Sequence, residues 1–304
     1  MELLDQLRLA IAARLERGQG LPWQADPSPL RRVRLPARAL TIGVGGALLG
    51  GSGRTPLALA IAAWCAPRGR IALISHGYGG RARAPTRVSA AHGVADVGDE
   101  AALAFERLRP LGVAVWSGPR QATLHAAAAE SDVLVLDGLL QTTPKPLTLS
   151  LLALSGEAPW GSARVWPRGD LRATRARLQD ACDAQVWLRD EQDADAWSAR
   201  TRLTLPTDAP SARESVLVLA EARSDRLLGA LTARGHHFAH IVRLPDHHAH
   251  RAPLPRCLRD ARAVFASEKG AVGLRGRLRC PLFPVRLEVA LPTALEDLLT
   301  ALLP

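Results

Sequence analysis

From residue 40 to about residue 190 the chain alternates short apolar runs with segments whose apolar positions recur at helical spacing. The runs Leu40–Val44, Arg70–Ser75, Val113–Trp116, Asp132–Asp137, Leu147–Leu154 and Gln185–Leu188 predict strands. Between them the spacing predicts helices over Thr55–Cys65, Asp99–Leu108, Arg120–Glu130 and Leu171–Leu178. Such alternation builds an α/β fold, a parallel sheet with helices on both faces and ligands at the strand carboxyl ends. Polar residues between Asp190 and Ser211 predict a boundary near Arg189–Arg200. Beyond it, strands at Ser215–Ala220, His237–Arg243 and Ala261–Ala266, with helices at Ser224–Arg234 and Ala294–Leu303, predict a smaller C-terminal α/β domain. The expected organisation is a lead-in over 1–37, a first domain over 38–190 and a second over 191–304.

The first predicted strand runs into Gly50-Gly51-Ser52-Gly53-Arg54-Thr55, and the first helix follows at once. Strand, glycine-rich turn and helix N-terminus leave bare N–H groups that favour an anion. Glycines let the backbone wrap a phosphate, and Thr55 can place its hydroxyl on Mg²⁺. The pattern is that of a P-loop, with Arg54 in place of the usual lysine and Leu48 in place of its first glycine. Taken alone, GGSGRT is equally the signature of an ordinary glycine-rich turn. The fold it predicts is a P-loop NTPase-like sheet.

Composition narrows the partners. The 304 residues are 47% hydrophobic and 22% charged, as in a globular chain with ample core. Net charge +10 points to polyanions: nucleic acid, anionic lipid or phosphorylated small molecules. With 4% aromatic residues and no basic–aromatic interleaving to stack bases, nucleic acid falls behind lipid and nucleotide. The cysteines Cys65, Cys182, Cys257 and Cys280 are scattered without a CxxC pair, as expected of reduced thiols in a cytosolic protein. Residues 1–17 do not read as a signal peptide, and no run approaches the ~20 apolar residues of a membrane span. Leu3, Leu4, Leu7, Ile11 and Leu15 instead recur at helical spacing among Arg8, Arg14 and Arg17. That is a helix for a membrane surface or for packing on the domain.

Further constellations carry candidate chemistry. Asp132-Val-Leu-Val-Leu-Asp137 is an apolar strand ending in a carboxylate, the shape of a Walker-B strand whose Asp137 serves Mg²⁺. Asp99 and Glu100 open a helix, where an acid suits the helix dipole or faces the phosphates. Six of nine histidines fall between His236 and His250. Zinc would need a fixed ligand geometry, whereas Asp246-His247-His248 after a strand fits an acid/base pair. His236, His237 and His240 read as surface or strand-face residues.

In order, these pieces resemble the tetraacyldisaccharide 4′-kinase family over roughly residues 38–275. GGSGRTP is similar to the family's GGTGKTP, and Ser75-His-Gly-Tyr-Gly-Gly80 to SRGYGG. Val97-Gly-Asp-Glu100 resembles VGDEP, and Asp137-Gly-Leu-Leu-Gln141 resembles DDGLQ. Trp166-Pro-Arg-Gly-Asp-Leu-Arg172 is similar to LPAGPLRE, Leu244-Pro-Asp-His-His-Ala249 to FPDHHAY, and Ser267-Glu-Lys-Gly-Ala-Val272 to TEKDAV. The resemblance implies ATP- and Mg²⁺-dependent phosphorylation of the 4′-hydroxyl of an acylated glucosamine disaccharide 1-phosphate at the cytoplasmic face of the inner membrane. By position, Gly50, Gly51, Ser52, Gly53, Arg54 and Thr55 would cradle ATP, and Thr55 and Asp137 would serve the metal. Asp99, with His247 or His248 beside Asp246, would activate the sugar hydroxyl, and Arg172 would steady phosphate charge. The two halves would close around the reacting groups.

Departures from the family pattern keep a second expectation in view. Arg54 replaces lysine, Leu136 replaces the first of paired acids, His76 replaces arginine and Gly270 replaces aspartate. These changes cluster in the ATP half, whereas Asp99 and the DHH run are intact. The alternative is a homologue that binds nucleotide or acylated sugar phosphate without efficient turnover.

Overall fold

The computed structural model describes residues 34–138, 148–166, 168–190, 195–247 and 249–303. The helix expected over 1–17, Gln141 and His248 lie outside the described residues. The strands are β1 (Leu40–Gly46), β2 (Ile71–Ile74), β3 (Thr86–Arg87), β4 (Ala114–Ser117), β5 (Val133–Asp137) and β6 (Leu149–Ser155). They continue as β7 (Ala184–Arg189), β8 (Ser198–Thr204), β9 (Val216–Leu219), β10 (His240–Arg243), β11 (Val264–Ser267) and β12 (Leu282–Ala290). The helices are α1 (Arg54–Cys65), α2 (Val94–Val97), α3 (Asp99–Leu108), α4 (Arg120–Glu130) and α5 (Arg175–Asp180). They continue as α6 (Ser224–Ala233), α7 (Arg256–Arg259), α8 (Glu268–Leu274) and α9 (Thr293–Leu302).

The strands form one twelve-stranded sheet in the order β10-β9-β11-β12-β8-β7-β6-β1-β5-β2-β4-β3. From β8 through β4 neighbours run parallel, and β10, β9, β11 and β12 form a second parallel set. An antiparallel β12–β8 ladder joins them. Strand polarity therefore reverses in mid-sheet, and the fold is α/β as the sequence predicts.

Alternation along β5 shows both faces covered. Val135 packs with Ile42, Val44, Leu57 and Ile61 under α1, while Leu134 and Leu136 pack with Leu124 and Ala127 of α4. Leu136 thus sits fully buried in the core. Helix α1 is apolar nearly all round, because α9 contributes Leu295 and Leu299 to the same core.

Some elements differ from expectation. The helix expected over Leu171–Leu178 begins instead at Arg175, where the Thr174 side chain accepts the Arg177 N–H as its cap. Leu171 forms isolated bridges with Leu48 and Val165, pinning that segment to the P-loop. Strand β10 starts at His240, leaving His236 and His237 ahead of it, and β11 starts at Val264. Strands β3, β8 and β12 and helices α2, α7 and α8 are additional to the predicted set.

Candidate active site

Each parallel set delivers its carboxyl ends to one cleft of about 1420 Å³. From the first set come the loop after β1, His76 and Tyr78 after β2, and Ser155 at the end of β6. From the second come Glu221 and Arg223 after β9, Asp246 and His247 after β10, and Lys269 after β11.

Gly53 caps α1 in a left-handed conformation (φ 78°), with no side chain on the first turn's N–H groups and no acid in that turn. The helix start is thus left open to an anion. Gly50 has to be glycine, since a Cβ there would run into the Cβ of Ala222 from the other half. The β1–β5 register sets Asp137 opposite Val44, directly beside the loop. Asp137 is 1% exposed; it accepts from the Thr55 hydroxyl (2.8 Å) and from Arg54 Nε. The far end of the same guanidinium reaches Glu100 at 3.3 Å. Burial opposes the charge on Arg54, but Asp137 and Glu100 outweigh it and raise its pKa. Burial and the neighbouring Asp137 push the Glu100 carboxyl up, against the pull of Arg54.

Around the loop, cations outnumber acids. Arg172 donates to the Leu48 carbonyl (2.8 Å), and Arg226 donates to the carbonyls of Gly51 (3.1 Å) and Ser155 (3.0 Å). Arg223 pairs with Asp170. Burial, then the charge of Arg54, lowers Arg172 to about 10 and Arg120 to about 10. Arg120 stacks its charge beside His76, whose ring burial and Arg120 together drive down to about 3, so the imidazole is neutral. Cations crowded around a bare helix N-terminus are complementary to a polyphosphate.

The opposite wall carries an acid–imidazole couple. Gly98 starts α3, and its first residue Asp99 is held by the Glu100 N–H (2.9 Å). His247 Nδ1 lies 2.9 and 3.0 Å from the two Asp99 oxygens, across 148 residues of chain. His247 takes φ 60°, a left-handed conformation uncommon outside glycine. The Tyr78 ring covers it at 4.6 Å. Lys269 Nζ donates to Asp246 Oδ1 (2.7 Å) and approaches His247 Nε2 (3.4 Å) and Asp99 Oδ2 (3.7 Å). Burial works against ionising Asp99, yet the His247 hydrogen bond and the charge of Lys269 hold its carboxyl below the usual carboxylate range.

Glu221 lines the cleft, and its Oε1 is buried with no hydrogen-bond partner among the described residues. Burial pushes its carboxyl up to about 7, with Asp246 adding to the rise and Lys269 opposing it. A carboxyl raised in the folded state binds an extra proton there between its unfolded and folded values, so stability falls as pH rises through that window. Replacing Glu221 with glutamine is expected to raise the melting temperature at pH 8, by on the order of 2 kcal/mol in stability. The gain should vanish near pH 4, which paired thermal melts would record.

The structure thus brings together Gly50, Gly51, Ser52, Gly53, Arg54, Thr55, Asp99, Asp137, Arg172, Asp246 and His247, and separates none of the described candidates. Arg120, Arg223, Arg226 and Glu221 carry no sequence motif. They come into the site by chain crossing alone. Lys269 did leave a signal, as one of two lysines (the other is Lys145) in a chain with 39 Lys+Arg.

A P-loop beside a carboxylate-ended strand, facing an Asp–His couple across one cleft, defines a nucleotide-dependent phosphotransferase of the P-loop kinase class. The family model described as "Tetraacyldisaccharide-1-P 4'-kinase" matches residues 23–304, and the chain belongs to that family. A "Tetraacyldisaccharide 4'-kinase" of Anaeromyxobacter dehalogenans (strain 2CP-1) is 34% identical, covering 84% of this chain and 79% of that protein. One of Methylobacterium sp. (strain 4-46) is 33% identical, over 86% of this chain and 84% of the relative. Among solved structures, the "apo" form of LpxK from Aquifex aeolicus in complex with ATP shares the fold. Its TM-score is 0.72 at 18% identity, covering 100% of this chain and 99% of that one.

Proposed function

We propose that this chain transfers the γ-phosphoryl group of ATP to the 4′-hydroxyl of a tetraacyldisaccharide 1-phosphate. The observation that supports this most is the contact of Asp99 with His247, which lines the cleft that also holds the P-loop. The free N–H groups at the start of α1, with Arg54, Arg172 and Arg223, bind and orient the triphosphate. Thr55 and Asp137 lie side by side as two oxygen ligands, the kind Mg²⁺ combines with phosphate oxygens and water. When bound, Mg²⁺ supplies charge neutralisation on the transferring group.

His247 Nδ1 faces Asp99 at 2.9 Å, whereas Nε2 lies between Lys269 Nζ (3.4 Å) and Asp246 Oδ2 (3.5 Å); the shorter contact places the hydrogen on Nδ1, donated to Asp99. The acceptor for the sugar-hydroxyl proton is then the Asp99 carboxylate. A carboxylate of depressed pKa suffices, because phosphoryl transfer proceeds with little bond formation to the incoming oxygen. Transfer rests on positioning and electrostatics.

The reading with turnover is favoured over binding alone because the substituted positions still serve. Arg54 engages Asp137, and Arg120 brings a guanidinium beside His76. Exposed Leu49, Leu111 and Tyr78 at the cleft, together with net charge +10, suit an acylated anionic substrate and a peripheral seat on an anionic membrane surface. No helix of the described residues is long and apolar enough to cross a membrane. The reversal of strand direction between β8 and β12 supports reading two lobes, with β8 (Ser198–Thr204) and α9 on the side of the P-loop.

The test is incubation of the purified protein with Mg-ATP and the disaccharide 1-phosphate. A product heavier by one phosphate, absent without ATP, is expected; intact acceptor under conditions where ATP binds contradicts the reading.

A further inference from the structure

Arginine is the default cation of this chain, so a lysine kept in the middle of the site calls for a physical reason. Lys269 stands in the first turn of α8, with its side chain 19% exposed. Its ammonium meets three acceptors from two segments: Asp246 Oδ1 at 2.7 Å and His247 Nε2 at 3.4 Å from the turn after β10, and Asp99 Oδ2 at 3.7 Å from α3. An ammonium is compact and carries three donors splayed from one atom, whereas a guanidinium is a flat fork suited to two parallel acceptors. Only the former serves acceptors that converge on a point from different directions.

We propose that Lys269 is a positioning residue of the phosphotransfer centre, holding the His247 ring with its Nδ1–H turned to Asp99 and setting its charge against the Asp99 carboxylate. The proposal deepens the kinase reading above and rests on it. The charged groups around the couple define what Lys269 contributes. Asp99 and Glu100 come from α3, Asp246 and His247 from the turn after β10, and Glu221 from the end of β9. Glu268, beside Lys269, is turned away to Arg107 (3.0 Å) and Arg286 (3.7 Å). Lys269 is thus the cation facing the couple among the described residues, amid carboxylates that would otherwise repel one another. Burial opposes its charge, but Asp99, Glu100 and Asp246 together raise its pKa, so it stays protonated.

The decisive readout is the titration of the Asp99 carboxyl by ¹³C NMR, its signal assigned from its loss in Asp99→Asn. In Lys269→Met the Asp99 midpoint is expected to rise by about one unit, since a cation within about 4 Å is removed. Lys269→Arg, which keeps the charge, should hold it near the parent value. With the acylated acceptor, Lys269→Met should lower kcat about 10²-fold and leave the KM for ATP within about threefold. Lys269→Gln, which retains a donor for Asp246, replaces the methionine variant if that one fails to fold. An unmoved Asp99 midpoint in a folded neutral variant overturns the proposal, whatever the turnover. A parent protein that forms no product overturns the kinase reading instead, and the Asp99 titration still decides the role of Lys269.

Discussion

Replacing Asp99 with asparagine is expected to lower kcat about 10³-fold while leaving the KM for ATP within about threefold. Asparagine has the same shape, and its carbonyl can still accept the His247 Nδ1–H, so the change isolates the loss of charge and of the proton acceptor. Because Asp99 is 6% exposed and the P-loop side chains Arg54 and Thr55 bond Asp137 and Glu100, nucleotide binding should barely register the substitution. The parent should show a second signature. With its carboxyl held below the usual carboxylate range, Asp99 is ionised at all higher pH, and activity due to it is lost only as pH falls through that depressed value. Steady-state kinetics across pH check both statements. An asparagine variant with parental kcat would remove Asp99 from the chemistry.

Arg54→Ala should be nearly as costly, for a different reason. The guanidinium is 13% exposed and stands between Asp137 and Glu100. Removing it takes a cation from the phosphate site and leaves two buried carboxylates facing each other. The expected loss in kcat/KM for ATP is about 10²–10³-fold, shared between KM and kcat. Stability should fall by about 3 kcal/mol. That loss should grow as pH rises, since the Glu100 carboxyl, already raised by burial, loses the cation that opposes the rise. Arg54→Lys should fall between parent and alanine, because one ammonium cannot span both acids. A lysine variant faster than the parent would mark the arginine as a defect in the loop.

What could be read from sequence was local. A strand, a glycine turn and a helix start are contiguous in the chain, so the phosphate loop and Asp137 at the end of its neighbouring strand declare themselves. Asp99 and the Asp246-His247 turn announce themselves likewise, as short patterns at element ends. Strand β12 was obscured because Pro284 sits within it, although Val285, Leu287 and Val289 alternate with Arg286 and Glu288. Helix α8 holds Gly270 and Gly273, which argue against a helix on propensity. Packing overrides that propensity: a Cβ on Gly273 would lie 2.8 Å from the Cβ of Ala249, so the glycine lets α8 approach the turn that carries His247. Arg120, Arg223 and Glu221 were illegible because each is a single residue whose meaning depends on where distant strands end.

The central claim is that the triphosphate and the Asp99–His247 couple occupy one cleft, and the chain's single tyrosine reports on it. Tyr78 lines that cleft and covers His247 at 4.6 Å, and with tyrosine selectively ¹³C-labelled its ring signals need no assignment. Titrating the protein with Mn²⁺–ATP in place of Mg²⁺–ATP should broaden the Tyr78 signals selectively, and excess Mg²⁺–ATP should reverse it. Tyr78 signals that stay sharp while the nucleotide is bound would place the metal–triphosphate elsewhere and contradict the shared cleft.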